Sequence, residues 1–160
     1  MKLLRLAVVA LAAALAVPAM AQVTPTVSDM KILEQKIKAD KKLVVALNMK
    51  LTDDEAKGFW PVYDAYQKDL DAINVRLAKT ITTYADAYNA GAGSVPDDLA
   101  KQLVSDYLAI EQDEAKMKRS YVSKLSDVLP GAKVARYLQL ETKMRAIVRY
   151  ELAANIPLIQ

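Results

Sequence analysis

The chain has no cysteine and no histidine. Without thiols there is no disulfide, no thiolate nucleophile and no cysteine metal site. Without imidazole, histidine acid–base catalysis and the usual Ser-His-Asp triad are excluded. A metal would have to be held by carboxylates alone, which suit the harder cations. The candidate carboxylate pairs, Asp53 with Asp54 and Asp113 with Glu114, are neighbours in sequence. On a helix their side chains diverge, so they read as solvated faces rather than as an acid–base pair. Gly91 and Gly93 fall between two helical patterns, not between a strand and a helix, so no phosphate-cradling loop is present. The expectation is a protein that is not an enzyme and has no cofactor and no metal.

Alternation of the β type is also missing, and beyond the N-terminus no run is long and apolar enough to span a membrane, which takes ~20 residues. At the N-terminus, Lys2 and Arg5 precede an apolar run from Leu6 to Val17 and the small-x-small sequence Ala19-Met20-Ala21. That is the pattern of a cleaved secretory signal over 1–21. It predicts export to the periplasm, with a flexible leader at 22–27 and a single helical domain over 28–160. The signal holds two of the 22 bases and no acid, so 20 bases face 19 acids in the remaining 139 residues, a net charge of +1. A nucleic-acid partner loses its electrostatic support.

What is present is helical periodicity. Phe59, Tyr63, Tyr66, Leu70, Ile73, Leu77, Ile81, Tyr84 and Tyr88 recur at gaps of three and four. They mark one face of a rod of roughly 45 Å at ~1.5 Å per residue. Thr52 and Glu55 form a capping box at its start, with Leu51 as a staple and Asp53 and Asp54 favourable to the helix dipole. Gly58 and Pro61 predict a kink that separates a short leading segment from the rod. A second long helix opens at Pro96-Asp97-Asp98, with its cap at Ser94 or Val95. It carries Leu99, Leu103, Tyr107, Ile110, Met117, Tyr121, Leu125 and Val128. Glu114 falls on this stripe, which places it either at an edge or against a base from another helix; the edge is the preferred reading. Ahead of the rod, a helix capped by Ser28 runs to about Lys50 with Leu33, Ile37, Val44 and Leu47 as its inner face. A fourth spans about 132–154, with Val134, Tyr137, Leu138, Met144, Ile147, Val148 and Leu152. The fold class is therefore all-α: four helices dominated by a long antiparallel hairpin. The first and fourth helices are net basic and the hairpin net acidic, which favours their docking.

The export pattern, the helix order over about residues 28–150 and Leu51-Thr52-Asp53-Asp54-Glu55 together resemble the periplasmic Spy/CpxP family. That family is marked by two Leu-Thr-x-x-Gln motifs. Here Glu55 replaces the first glutamine, and Leu129-Pro130-Gly131-Ala132-Lys133 stands at the place of the second. A Phe-Trp-Pro-Val-Tyr segment, Phe59 to Tyr63, also resembles exported helical proteins of no assigned role. The Spy-like resemblance implies an ATP-independent chaperone or envelope-stress protein that binds unfolded protein clients as a cradle-shaped homodimer. The residues to carry this are the apolar Phe59, Trp60 and Tyr63 and the basic Arg136, Lys143, Arg145 and Arg149. The other reading is that Phe59 and Trp60 belong to the core and that the tyrosines line helix seams. The competing function is a structural or regulatory adaptor that docks on a membrane sensor or another envelope protein partner.

Overall fold

The stripes described above dictate helices that pack along their length, and the computed structural model describes residues 40–160 as such an all-α protein. Helix α1 is described over 40–49, followed by α2 (Asp53–Ala90), α3 (Asp97–Ser126) and α4 (Gly131–Asn155). The signal segment, the leader, the Ser28 cap, Leu33 and Ile37 lie outside the described residues. No described helix is long and apolar enough to cross a membrane.

The start of α2 has the expected capping box. Thr52 N–H donates to Glu55 Oε2 at 2.7 Å, and Glu55 N–H donates to Thr52 Oγ1 at 3.3 Å. The helix then runs through Gly58 and Pro61 without a break, so the leading segment and the rod are one element. Gly58 has a packing reason as well: a Cβ placed there would stand 3.0 Å from the side chain of Val128 at the end of α3. The α1–α2 corner turns at Lys50, whose φ of 47° is in the left-handed region. At the other end of the hairpin, Ala92 and Gly93 take φ of 50° and 102°. No side chain caps α3, whose N-cap is Pro96 rather than Ser94 or Val95.

Helix α3 returns along α2, and α4 runs back up along α3, so the two corners lie at one end and the 91–96 loop at the other. The core fills the corner end. Phe59, Tyr63, Tyr66, Tyr121 and Tyr137 are buried there, joined by Val45 and Met49 of α1. Ring centroids lie 5.1 Å apart for Phe59–Tyr137 and Tyr66–Tyr121, and 5.5 Å for Tyr66–Tyr137, all edge-on. Such pairs add about 0.5–1.5 kcal/mol each to the burial of the rings. The Tyr66 hydroxyl is buried with no hydrogen-bond partner among the described residues. The Tyr121 hydroxyl donates to Asp69 at 2.6 Å; burial first, then this bond, push its pKa up to about 12.

Two inner faces differ from those expected. On α1 the buried residues are Val45 and Met49, whereas Val44 and Leu47 are exposed. Lys41 explains the rotation: it lies on the same face as Val45 and Met49, and its ammonium reaches Glu141 at 2.8 Å and Gln67 at 2.7 Å. On α4 the buried residues are Val134, Tyr137 and Glu141, while Ile147 is exposed. Above Leu77 on α2 and beyond Glu141 on α4, no side chain is fully buried. There Tyr84 and Tyr88 are half-buried, and the segment after α4 closes the tip: Tyr84 donates to the Pro157 carbonyl at 2.7 Å and Gln160 N–H to the Gly93 carbonyl at 3.0 Å.

Candidate functional site

Glu55 and Lys133, the last positions of the two motif-like segments, meet in the structure. The Lys133 ammonium pairs with the Glu55 carboxylate and donates to the Lys50 carbonyl at 3.1 Å. The hydrogen bond from Lys133, then that from the Thr52 backbone, hold the Glu55 carboxyl below its ordinary value. Alongside, Arg136 donates to the Asn48 carbonyl at 3.3 Å. These contacts fix the start of α4 against the end of α1, but the two helices do not close completely. Between them lies an open hollow of about 360 Å³ lined by Leu47, Asn48, Lys50, Arg136, Gln139, Leu140 and Lys143. Three of these are cations and none is an acid. Leu47 is 69% exposed, a large apolar side chain facing solvent among charges.

The residues nominated from sequence separate into different environments. Phe59 and Tyr63 are buried in the aromatic core, so they are not a surface for a partner. Trp60 is half-buried, 5.0 Å from the Phe59 ring, and carries the Lys42 ammonium 5.1 Å from its own ring centroid. Arg136 and Lys143 line the hollow. Arg145 and Arg149 turn to the opposite side of α4 and are engaged with α3.

That engagement corrects the reading of Glu114 as an edge residue. Glu114 is 2% exposed. Arg145 donates to its Oε2 from Nη2 at 2.8 Å and from Nε at 3.1 Å, Lys118 reaches its Oε1 at 2.6 Å, and Arg149 adds a contact at 3.3 Å. The remaining Arg145 fork donates to Asn74 at 2.6 Å. Burial pushes the Glu114 carboxyl up, but the Lys118 hydrogen bond and the Arg145 charge more than offset it, leaving the group below its ordinary value. Arg149 also pairs with Glu111 at 3.2 Å. Glu141 has a similar shell, accepting from Lys41 at 2.8 Å and from Gln67 at 2.9 Å. Both acids are saturated by partners, which makes them fixtures between helices.

Sequence reasoning did not find Leu47, Lys50, Asn48, Gln139 and Leu140 as neighbours of Arg136 and Lys143. The available signal was the spacing of Arg136, Leu140 and Lys143 at four and three, which puts them on one side of α4. Its counterpart on α1 was hidden because Leu47 had been assigned to the inner face. No family model matches the chain, and no curated protein or solved structure matches it.

Proposed function

We propose that the chain is an exported helical protein that binds other polypeptides on its surface, acting as an ATP-independent chaperone-like or envelope-stress protein. The observation that carries this reading is the α1–α4 hollow, where exposed leucine stands among three cations that no ion pair neutralises among the described residues. Exposed apolar area captures unfolded chain, and cations around it draw acidic segments from a distance. The resemblance of Leu51-Thr52-x-x-Glu55 to the Spy/CpxP motif supports the same class, and with it the N-terminal export pattern and a homodimeric assembly. A structural or regulatory adaptor for one envelope protein is the second reading. It is favoured by the meeting of three cations and two leucines in one small hollow, a recess sized for a particular segment.

The test is the aggregation of several unrelated denatured proteins at equimolar amounts without ATP. The chaperone-like reading expects slower aggregation of all of them, with early capture weakened by salt as exposed charges are screened beyond ~8 Å at physiological ionic strength. Protection of none would discard it in favour of the adaptor.

A further inference from the structure

The hollow has more chemical detail than an apolar patch, and its lining restricts what can occupy it. Leu47 and Leu140 supply apolar surface from the two helices, and Lys50, Arg136 and Lys143 surround them. Leu43 lies one turn from Leu47 on α1, and Ile147 lies seven residues beyond Leu140 on α4; both are exposed. The apolar strip therefore extends past the hollow. Arg136 uses one N–H on the Asn48 carbonyl, which leaves the rest of its guanidinium fork available. Among the described residues, no ion pair neutralises Lys50, Arg136 or Lys143.

From this we infer that the α1–α4 groove takes a short amphipathic polypeptide segment with acidic side chains beside apolar ones. The inference rests on the reading of the chain as a polypeptide-binding protein and names the kind of segment it receives. Charge complementarity selects the acids, because an occupant bearing lysine or arginine would meet three like charges in a lining without a carboxylate. The apolar strip selects side chains such as leucine at a spacing of three and four, the period at which Leu43 and Leu47, and Arg136, Leu140 and Lys143, are themselves arranged. Shape decides between a peptide and an anionic membrane. A membrane-surface helix projects its apolar face outward into the lipid, whereas Leu140 is half-buried between two helices. A recessed floor is reached by single side chains of a chain laid in the groove, the helix-in-groove mode of recognition. From Arg136 to Ile147 the strip extends roughly 16 Å at ~1.5 Å per residue, which a helical segment of about twelve residues covers.

The experiment measures fluorescence anisotropy of a labelled helical peptide of about that length, built from Leu and Glu at this spacing, against the purified protein. Counterpart peptides carry Lys for Glu, or Ser for Leu. The expected result is saturable binding of the Leu/Glu peptide, with both counterparts at least about tenfold weaker. The double variant Arg136→Glu/Lys143→Glu should lose about tenfold, and Leu47→Ser, at an exposed site, should also weaken binding with its circular dichroism unchanged. Lys101→Glu/Lys116→Glu makes the same change of net charge on the exposed face of α3 and should bind as the parent does.

Equal binding by the parent and both groove variants would overturn the assignment. So would binding to vesicles of phosphatidylglycerol and phosphatidylcholine by a protein that ignores the peptide. If aggregation is suppressed as well by Arg136→Glu/Lys143→Glu as by the parent, the groove assignment fails while the chaperone-like reading survives. If the peptide binds as expected but no client is protected, the groove stands and the chaperone-like reading gives way to the adaptor.

Discussion

At the corner end of the molecule four helices meet on aromatic rings; towards the hairpin tip three helices meet across ion pairs. Phe59, Tyr63, Tyr66, Tyr121 and Tyr137 fill the first region and are at most 3% exposed. In the second, Glu114, Arg145, Asn74, Arg149 and Glu111 span the space between α3, α4 and α2, while Tyr107 and Val148 stay 42% and 48% exposed. The difference follows from what each side chain can do at an interhelical distance. Rings bury area in every direction and interlock edge to face. Arginine bridges a wider gap with a rigid fork, and its geometry is specific because a lost partner leaves a charge uncompensated. The corner end adds interlocked rings to its ion pairs, whereas in the upper half α4 is joined to α2 and α3 mainly by pairing.

The strongest way to break this contrast is at a ring. Phe59→Ala should cost roughly 3–5 kcal/mol through lost burial and the cavity left behind, whereas Val148→Ala near the tip should cost about 0.5 kcal/mol. Urea midpoints measured on both variants check this, and similar losses would mean that the two halves are packed alike. Next is the pairing itself. Arg145→Ala leaves Glu114 short of its principal partner and should cost about 3 kcal/mol, while the double change Glu114→Leu/Arg145→Met should recover most of that loss. A double variant no more stable than Arg145→Ala would show that the polar shell has no apolar substitute.

Acid should act through the same carboxylates. Glu114, Glu55 and Asp113 all have folded pKa values below their unfolded ones. Asp113 owes this first to its hydrogen bond from Arg76. The stability these groups contribute is complete above the unfolded values, near 4.5 for the glutamates and 3.8 for Asp113, and is lost as pH falls through the lower folded values. Thermal melts from neutral pH into this range should show the loss, and Glu114→Gln should make the dependence shallower. A midpoint independent of pH down to the acid range would contradict the linkage. A smaller effect than at Phe59 or Arg145 is expected at the corner, where Thr52→Ala removes the cap of α2 and should lower stability by roughly 0.5–2 kcal/mol, read from the melting midpoint.

Much of the fold was legible because it depends on periodicity and breakers. The rod expected from the Thr52 cap and the partner expected from Pro96 stand at Asp53–Ala90 and Asp97–Ser126, and the inner stripe of α2 is buried as read from Phe59 to Leu77. The stripe of α1 was misread because a lysine counts as polar in a pattern, although its stem and ammonium can enter an interior that holds a matching acid. Glu114 was misread for the complementary reason. Its neighbours on the stripe, Ile110, Met117 and Tyr121, pointed inward, but of its partners only Lys118 is on the same helix, and the two arginines lie 31 and 35 residues away on α4. Pairing across helices has no period, so sequence spacing could not disclose it. The candidate site suffered likewise. Phe59 and Tyr63 were nominated as large apolar residues, yet that same property put them in the core. The groove needed the relative placement of α1 and α4, and only Arg136 and Lys143 were named beforehand.

The contact between Lys133 and Glu55 also has a consequence in time. It joins positions 78 residues apart, one of several contacts of α4 that span 70 residues or more, whereas the order within each helix is local. Helical segments relax in ~0.1–1 μs, but a contact of that span must first close a long loop, with an entropy cost that grows as the logarithm of its length. The corner is thus a natural late event in folding, the point at which two separately ordered arms commit to one bundle. Lys133→Met would then leave the refolding rate nearly unchanged and raise the unfolding rate, the kinetic signature of a contact absent from the transition state.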